Sequence, residues 1–452
     1  MTRYFLKAIE WARKYGLRIN LDFHAVPGSQ NGWNHSGRLG ETNFLRGPMG
    51  YVNAQRTLDY IRIITEFISQ SEYKDVVVMF GILNEPRGSP VIGEAQLDGL
   101  YVLILFLLCF WETNRLSLSY KAVYDIVRGV TGYGEGNGPV ISFHEGFLGL
   151  PHYSGYLKNA DRIALDYHPY ICFDQQSNSP ISSYATTPCT DWGQTMNDSM
   201  TNFGLTAAGE FSNAVTDCGL WLNNVNEGTR YEGTYSSGGP WPSRGSCTEW
   251  TDWQNWDQTM KDGIKTFALA SMDALQNWFF WTWKIGNSTS SGKVESPAWS
   301  YQLGLEQGWM PKDPRAASGV CGNSAPWTPP LAPWQTGGTG AGLNVQSSGM
   351  QWPPVSLTNA GPLASLPFYT PTGTVVTLPG PTFTQSSGSN VKIDVGNGWA
   401  NPSDTRGMYA PIPSCTYLDP WCGPSAALPA TCGSGATQKR AYPPPPMITR
   451  QP

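Results

Sequence analysis

The chain has 452 residues, 14% of them charged, and a formal net charge of −5. That length suits one barrel-sized domain plus an extension, and the lack of a basic surplus excludes nucleic acid as an expected partner, because nothing is present to neutralise phosphates. Aromatics make up 13% with 19 Trp, a content that fills cores but also suits clefts where a flat indole stacks on a sugar ring.

Residues 2–15 read as an amphipathic helix with Phe5, Ala8, Ile9 and Ala12 on one face, ended by Gly16. The stretch 17–23 alternates apolar and polar, as a strand does. Further candidate strands follow at 76–83, 139–144, 163–168, 204–209 and 278–284, with helical patterns at 55–70, 120–129 and 254–275. Alternation of this kind predicts an α/β fold, a (β/α)8 TIM barrel. Six strands are found and the chain opens on a helix, so the first two strands are expected to be missing.

The run Leu100–Trp111 has no polar break. It is shorter than the roughly 20 residues of a membrane span and lacks the polar face of a surface helix. Residues 100–119 are therefore expected to be a non-native insert, translated intron sequence, with Asp98-Gly99 and Tyr120 onward joining into one ordinary helix; a buried helix is the alternative. Residues 316–391 contain no charged residue, and Pro, Gly, Ser and Thr dominate to the closing Pro443-Pro444-Pro445-Pro446. The expected division is a barrel over 1–321 and an irregular low-charge extension over 322–452, with a small disulfide-tied patch around Cys415, Cys422 and Cys432.

Nine Cys are present, with no close-spaced pair among Cys172, Cys189, Cys218, Cys247, Cys321, Cys415, Cys422 and Cys432, so a zinc site is not expected. Together with glycosylation sequons at Asn34, Asn197 and Asn287, these Cys point to a secreted protein with disulfides. Pairings Cys218–Cys247 and Cys189–Cys321 are expected, although connectivity does not follow from sequence. The stretch Thr2–Lys7 has no apolar segment of a signal peptide.

The apolar run Val76–Leu83 stops at Asn84-Glu85-Pro86, and Leu205–Ala208 is followed by Gly209-Glu210. Carboxylates at the carboxyl ends of two barrel strands sit at a rim and not in a core. Hydrolysis of a glycosidic bond with retention needs such a pair about 5 Å apart, one protonated to assist the leaving oxygen and one ionised to attack the anomeric carbon. Asn84 is suited to bond a sugar hydroxyl beside the reacting carbon.

These motifs resemble glycoside hydrolase family 5, in particular the fungal exo-β-1,3-glucanases, from residue 2 to about 321. The most specific stretch is His24-Ala25-Val26-Pro27-Gly28-Ser29-Gln30-Asn31-Gly32-Trp33. Asp166-Tyr167-His168-Pro169-Tyr170, Trp281-Thr282-Trp283-Lys284, Ser296–Leu305 and Gly308-Trp309-Met310-Pro311 add to it. The resemblance implies Glu85 as acid/base and Glu210 as nucleophile. It implies His24, Asn84, His168 and Tyr170 as sugar-binding residues, with Tyr170 orienting the nucleophile. Trp281 and Trp283 would supply the floor of the pocket, and Trp33 and Phe173 an aromatic clamp. It implies release of glucose from the non-reducing ends of β-1,3-glucan by a monomer needing no cofactor, in the extracellular space or cell wall. Two family features are not found: a strand-two Arg supporting the nucleophile and an early acidic residue binding the terminal glucose. Other readings stay open: an inactive truncated product, a β-glucan-binding protein, or a family 5 glucanase acting on β-1,6 linkages or within chains.

Overall fold

The computed structural model describes residues 2–70, 73–88, 114–322 and 330–354, with short strand segments at 356–357, 361–362, 382–384 and 390–392. The central element is a sheet of six strands: β1 (Ile19–Asp22), β2 (Val77–Gly81), β3 (Val140–His144), β4 (Ile163–Tyr167), β5 (Thr206–Phe211) and β6 (Trp278–Phe280). They are hydrogen-bonded in chain order and every pair is parallel. A sheet that advances by one strand per crossover, always in the same direction, is the singly wound order of a β/α barrel; a doubly wound sheet reverses. All six strands coincide with those expected from the sequence. β3 is buried along its whole length, whereas β1 and β6, each with one neighbour among the described residues, are only partly covered.

Helices occupy the crossovers: α1 (Thr2–Tyr15) precedes β1, and α2 (Gly47–Ile68), α3 (Asn114–Thr131), α4 (Gly193–Asn202) and α5 (Gln258–Leu275) follow. α1 buries Leu6, Ile9 and Ala12 and ends where Gly16 takes a φ of 70°, as a left-handed cap does. α2 starts eight residues before the expected position, with Pro48 in its first turn, where a missing N–H costs nothing. Asp257 caps α5, accepting the Met260 N–H at 2.8 Å. α3 packs on α2 and includes residues 114–119, with Leu116 and Leu118 buried. The rest of the suspected insert lies outside the described residues, as does the Cys415–Cys432 patch. No helix among the described residues is long and apolar enough to cross a membrane.

The amino-terminal ends of β3 and β4 are locked by a buried polar group. Asp161 is fully buried and receives hydrogen bonds from Arg128 Nε at 3.3 Å, Arg162 Nε at 2.9 Å, Tyr124 Oη at 3.0 Å and the Gly134 N–H at 3.0 Å. Arg128 also donates to the carbonyls of Pro139, Asp161 and Arg162, so the charges are paired and their hydrogen-bonding capacity is used. Residues 330–354 run past this end of the sheet. Gln335 accepts the Arg162 N–H at 2.9 Å and donates to the Phe203 carbonyl at 3.1 Å, and the Trp352 ring stacks on Tyr51 at 5.5 Å. Part of the segment expected to be an irregular extension therefore packs on the β/α core. Cys189–Cys321 and Cys218–Cys247 are both disulfides, as expected, and Cys172 is a buried free thiol.

Candidate active site

All six strands point their carboxyl ends to one rim; Glu210 stands near the end of β5 itself, and the loops leaving the rim carry the other site residues singled out from the sequence. Beyond β2 the chain turns at Glu85, which has a φ of 46°. That left-handed conformation is costly for a residue with a side chain and persists only where its surroundings impose it. The long loop after β1 imposes it. Gln30 and Asn31, both fully buried, reach across with their amides. Gln30 Nε2 donates to the carbonyls of His24 and Asn84, each at 2.8 Å, and Asn31 Nδ2 donates to the Glu85 carbonyl at 3.1 Å.

The Glu85 carboxyl lies between two imidazoles. Oε1 meets His168 Nδ1 at 2.8 Å and Oε2 meets His35 Nε2 at 3.0 Å. The same His168 Nδ1 is 3.7 Å from Glu210 Oε2, so one ring nitrogen on the loop after β4 bridges carboxylates from β2 and β5. The other nitrogen, Nε2, faces Asp166 Oδ2 at 3.4 Å. Tyr170 donates its hydroxyl proton to Glu210 Oε2 at 2.9 Å. Between Ala208 and Phe211 the β5–β6 register shifts, three residues of β5 passing against two of β6. Irregularities of this kind re-aim a side chain next to a site, and Glu210 falls within this one.

His24 donates to Asp22 Oδ2 through Nδ1 at 2.6 Å, and its Nε2 lies 3.4 Å from Asn84 Nδ2. Its ring stacks on Trp281 with centroids 5.7 Å apart and planes within 8°, which brings the ends of β1 and β6 together over the rim. The Trp281–Thr282 peptide is cis. Trp283 stacks instead on Tyr301 at 5.9 Å. Trp33 packs edge-on against Phe147 at 5.5 Å, with the Arg87 guanidinium over its ring. Phe173 packs against Tyr170 and Trp299. The expected clamp residues thus belong to two separate aromatic groups, and Phe147, 45% exposed, joins the first.

Burial opposes charge on His168, but the carboxylates of Glu210, Asp166 and Glu85 hold its ring protonated well above the ordinary imidazole range. Burial pushes the Glu210 carboxyl up to about 7; Glu85 adds to this, while His168 and Tyr170 work against it. Burial would raise Glu85 as well, but hydrogen bonds from His168 and His35 pull it below the usual carboxylate range. Burial likewise opposes charge on His24, yet Asp22 raises its ring on balance. His144, fully buried, falls to about 3 through burial and the neighbouring His168.

Glu85, His144 and His168 each offer an atom within 4.8 Å of the other two. His144 Nδ1 accepts the Gly146 N–H at 2.9 Å, so its neutral ring carries the proton on Nε2 and has no free lone pair there for a metal. Of the three, His168 and Glu85 are hydrogen-bonded to each other, whereas the His144 ring meets His168 edge-on at 4.5 Å and its Nε2 has no hydrogen-bond partner among the described residues.

Of the residues singled out from the sequence, Glu85, Glu210, His168, Tyr170, His24, Asn84 and Trp281 are brought together at one place. Trp33 and Phe173 lie at its margins and Trp283 one layer out, on Tyr301. His35, His144, Asp166, Gln30 and Asn31 take part without having been assigned a role. His144, at the end of a buried strand, carried the same signal as His24 and His168.

No family model matches the chain. A probable glucan 1,3-beta-glucosidase D of Aspergillus fumigatus is 35% identical over 341 residues, 72% of this chain and 37% of that protein. Glucan 1,3-beta-glucosidase D of Emericella nidulans is 36% identical over 341 residues, with the same coverage. The solved structure of a rutinosidase from Aspergillus niger is 15% identical, with 68% of this chain and 71% of that one covered and a TM-score of 0.42. A singly wound parallel β/α sheet with two glutamates sharing one histidine at its rim is a barrel-type architecture. The chain is similar to these fungal glucan 1,3-beta-glucosidases over 72% of its own length, and the match spans 37% of the length of the curated relatives.

Proposed function

We propose that the chain is a retaining glycoside hydrolase that releases glucose from the non-reducing ends of β-1,3-glucan, outside the cell or in the cell wall. The observation that carries this reading is the single His168 nitrogen lying 2.8 Å from Glu85 and 3.7 Å from Glu210. A shared partner at these distances caps the separation of the two carboxylate oxygens at about 6.5 Å, the lower edge of the spacing that admits a water between nucleophile and sugar, which favours direct attack by a carboxylate. Glu210 attacks the anomeric carbon as Glu85 gives its proton to the departing oxygen, and the bond between the anomeric carbon and that oxygen breaks. Glu85 then takes a proton from water, which displaces Glu210 and restores both groups. Tyr170 fixes the Glu210 oxygen through its hydroxyl. Asn84 and His24 supply donors for the sugar, and the Trp281 indole supplies an apolar face.

The nucleophile works only when ionised, so a Glu210 carboxyl raised to about 7 requires the proton of the pair to settle on Glu85 before reaction. The proposal is tested by following laminarin hydrolysis with proton NMR. β-Glucose as the first and sole early product supports it. An α-anomer excludes retention, and oligosaccharides without glucose exclude exo action.

A further inference from the structure

His35 has no part in the reaction as set out above, yet its Nε2 lies 3.0 Å from Glu85 Oε2. The direction of that hydrogen bond decides where the proton sits, and Asn31 bears on it. The Asn31 amide is oriented by two main-chain groups: Oδ1 accepts the Trp33 N–H at 2.8 Å and Nδ2 donates to the Glu85 carbonyl at 3.1 Å. An amide fixed in this way has its second Nδ2 proton left over, and Nδ2 lies 3.2 Å from His35 Nε2. A nitrogen that receives a proton from Asn31 is a lone pair, with the ring's own proton on Nδ1. Two lone pairs do not bond, so the contact between His35 Nε2 and Glu85 Oε2 closes as a hydrogen bond only when the Glu85 carboxyl carries the proton, its O–H then sharing the single Nε2 lone pair with the Asn31 N–H in a three-centre bond.

We propose that His35 is a positioning residue that, held as an acceptor by Asn31, keeps the transferable proton on Oε2 of Glu85. The inference rests on the reading of Glu85 as the acid. Oε1 is committed to His168, whose side chain is 2% exposed, whereas Oε2 points to a side chain that is 36% exposed. The proton is therefore kept on the accessible side, where a glycosidic oxygen replaces His35 as acceptor. No new bond or co-reactant enters: the O–H turns from one acceptor to another. The downward pull on Glu85 belongs to the state in which His35 donates, and the acceptor state removes that part of it. The groups facing His35 are Asn31 and the Trp33 ring on its own loop, the His24 ring at 5.7 Å from the end of β1, and Glu85 from β2. Behind Glu85 stand His168 and Glu210.

The test uses the 452-residue chain and two substrates: laminarin, whose leaving alcohol needs a proton, and 2,4-dinitrophenyl β-glucoside, whose leaving group does not. His35→Leu is expected to lower kcat/KM on laminarin at least about tenfold and on the dinitrophenyl glucoside less than about twofold. The alkaline limb on laminarin moves to lower pH, because Glu85 loses its proton sooner. His35→Gln, whose carbonyl accepts the same hydrogen bond, restores most of the difference. Equal losses on both substrates with an unmoved limb overturn the proposal and leave a structural role. If Glu85→Gln itself spares the dinitrophenyl substrate no more than laminarin, the acid assignment fails instead. Nitrogen-15 NMR of the unliganded chain gives a readout independent of turnover: His35 neutral with its proton on Nδ1 supports the proposal, and a proton on Nε2 at neutral pH overturns it.

Discussion

Gly209 and Asp166 occupy adjacent strands at a separation that only a glycine permits. The Gly209 N–H donates to Asp166 Oδ1 at 2.7 Å, and a Cβ at position 209 would lie 2.1 Å from that oxygen. Asp166 in turn faces His168 Nε2, so the residue before the proposed nucleophile sets the carboxylate that keeps the bridging imidazole charged.

Gly209→Ala is therefore expected to displace Asp166 and to cost about 1–3 kcal/mol of stability, the usual penalty of overpacking a filled site. Thermal unfolding reads the stability and turnover the site; an alanine variant matching the parent in both would show that the contact relaxes freely.

Glu85→Gln and Glu210→Gln are each expected to reduce turnover of laminarin at least about a thousandfold, as loss of a proton donor or a nucleophile does. Azide in place of the carboxylate should rescue Glu210→Ala and give the α-glucosyl azide. Rescue of Glu85→Ala with that same anomer would reverse the two roles.

Tyr170→Phe bears on pH dependence. Glu210 reacts only as a carboxylate and is raised to about 7, with the Tyr170 hydroxyl among the groups that lower it. Activity should accordingly rise with pH through about 7 on the acid side. Removing the hydroxyl moves that limb to higher pH. A limb that stays in place, measured as kcat/KM against pH, would separate Tyr170 from the ionisation of Glu210.

Asp161→Ala is expected to destabilise by about 3–5 kcal/mol, because it strands two buried guanidinium groups. Arg128, already lowered to about 10 by burial and by Arg162, would lose its balancing charge. Urea unfolding measures this, and a cost under about 1 kcal/mol would mean that water reaches the site.

The strand ends were readable because apolar runs stop abruptly at polar residues, as at Leu83-Asn84-Glu85, and a strand that stops at a carboxylate has a rim to put it on. His24 and His168 were readable for the same reason. Gln30 and Asn31 were identified only as part of a motif: their polarity suits solvent, and their burial is tolerated because the backbone carbonyls they satisfy lie 54 positions on. His35 sits in a polar stretch with no periodicity, so nothing marked its approach to Glu85. The packing of 330–354 was hidden by low charge and high Gly and Pro content, since its anchors are main-chain hydrogen bonds, the Gln335 amide and one indole. The early start of α2 was not marked by the sequence, because Gly47, Pro48 and Gly50 are poor helix formers. Gly50 is needed there, as a Cβ would lie 2.8 Å from the Leu45 backbone.

The loop after β1 grips Asn84 and Glu85 by their carbonyl oxygens, through Gln30 and Asn31, apart from the contacts that His24 and His35 make with their side chains. Replacing the Glu85 carboxyl by an amide removes chemistry without loosening that grip. A Glu85→Gln protein is thus suited to capturing an intact oligosaccharide for crystallography, with the sugar held across an otherwise undisturbed cleft.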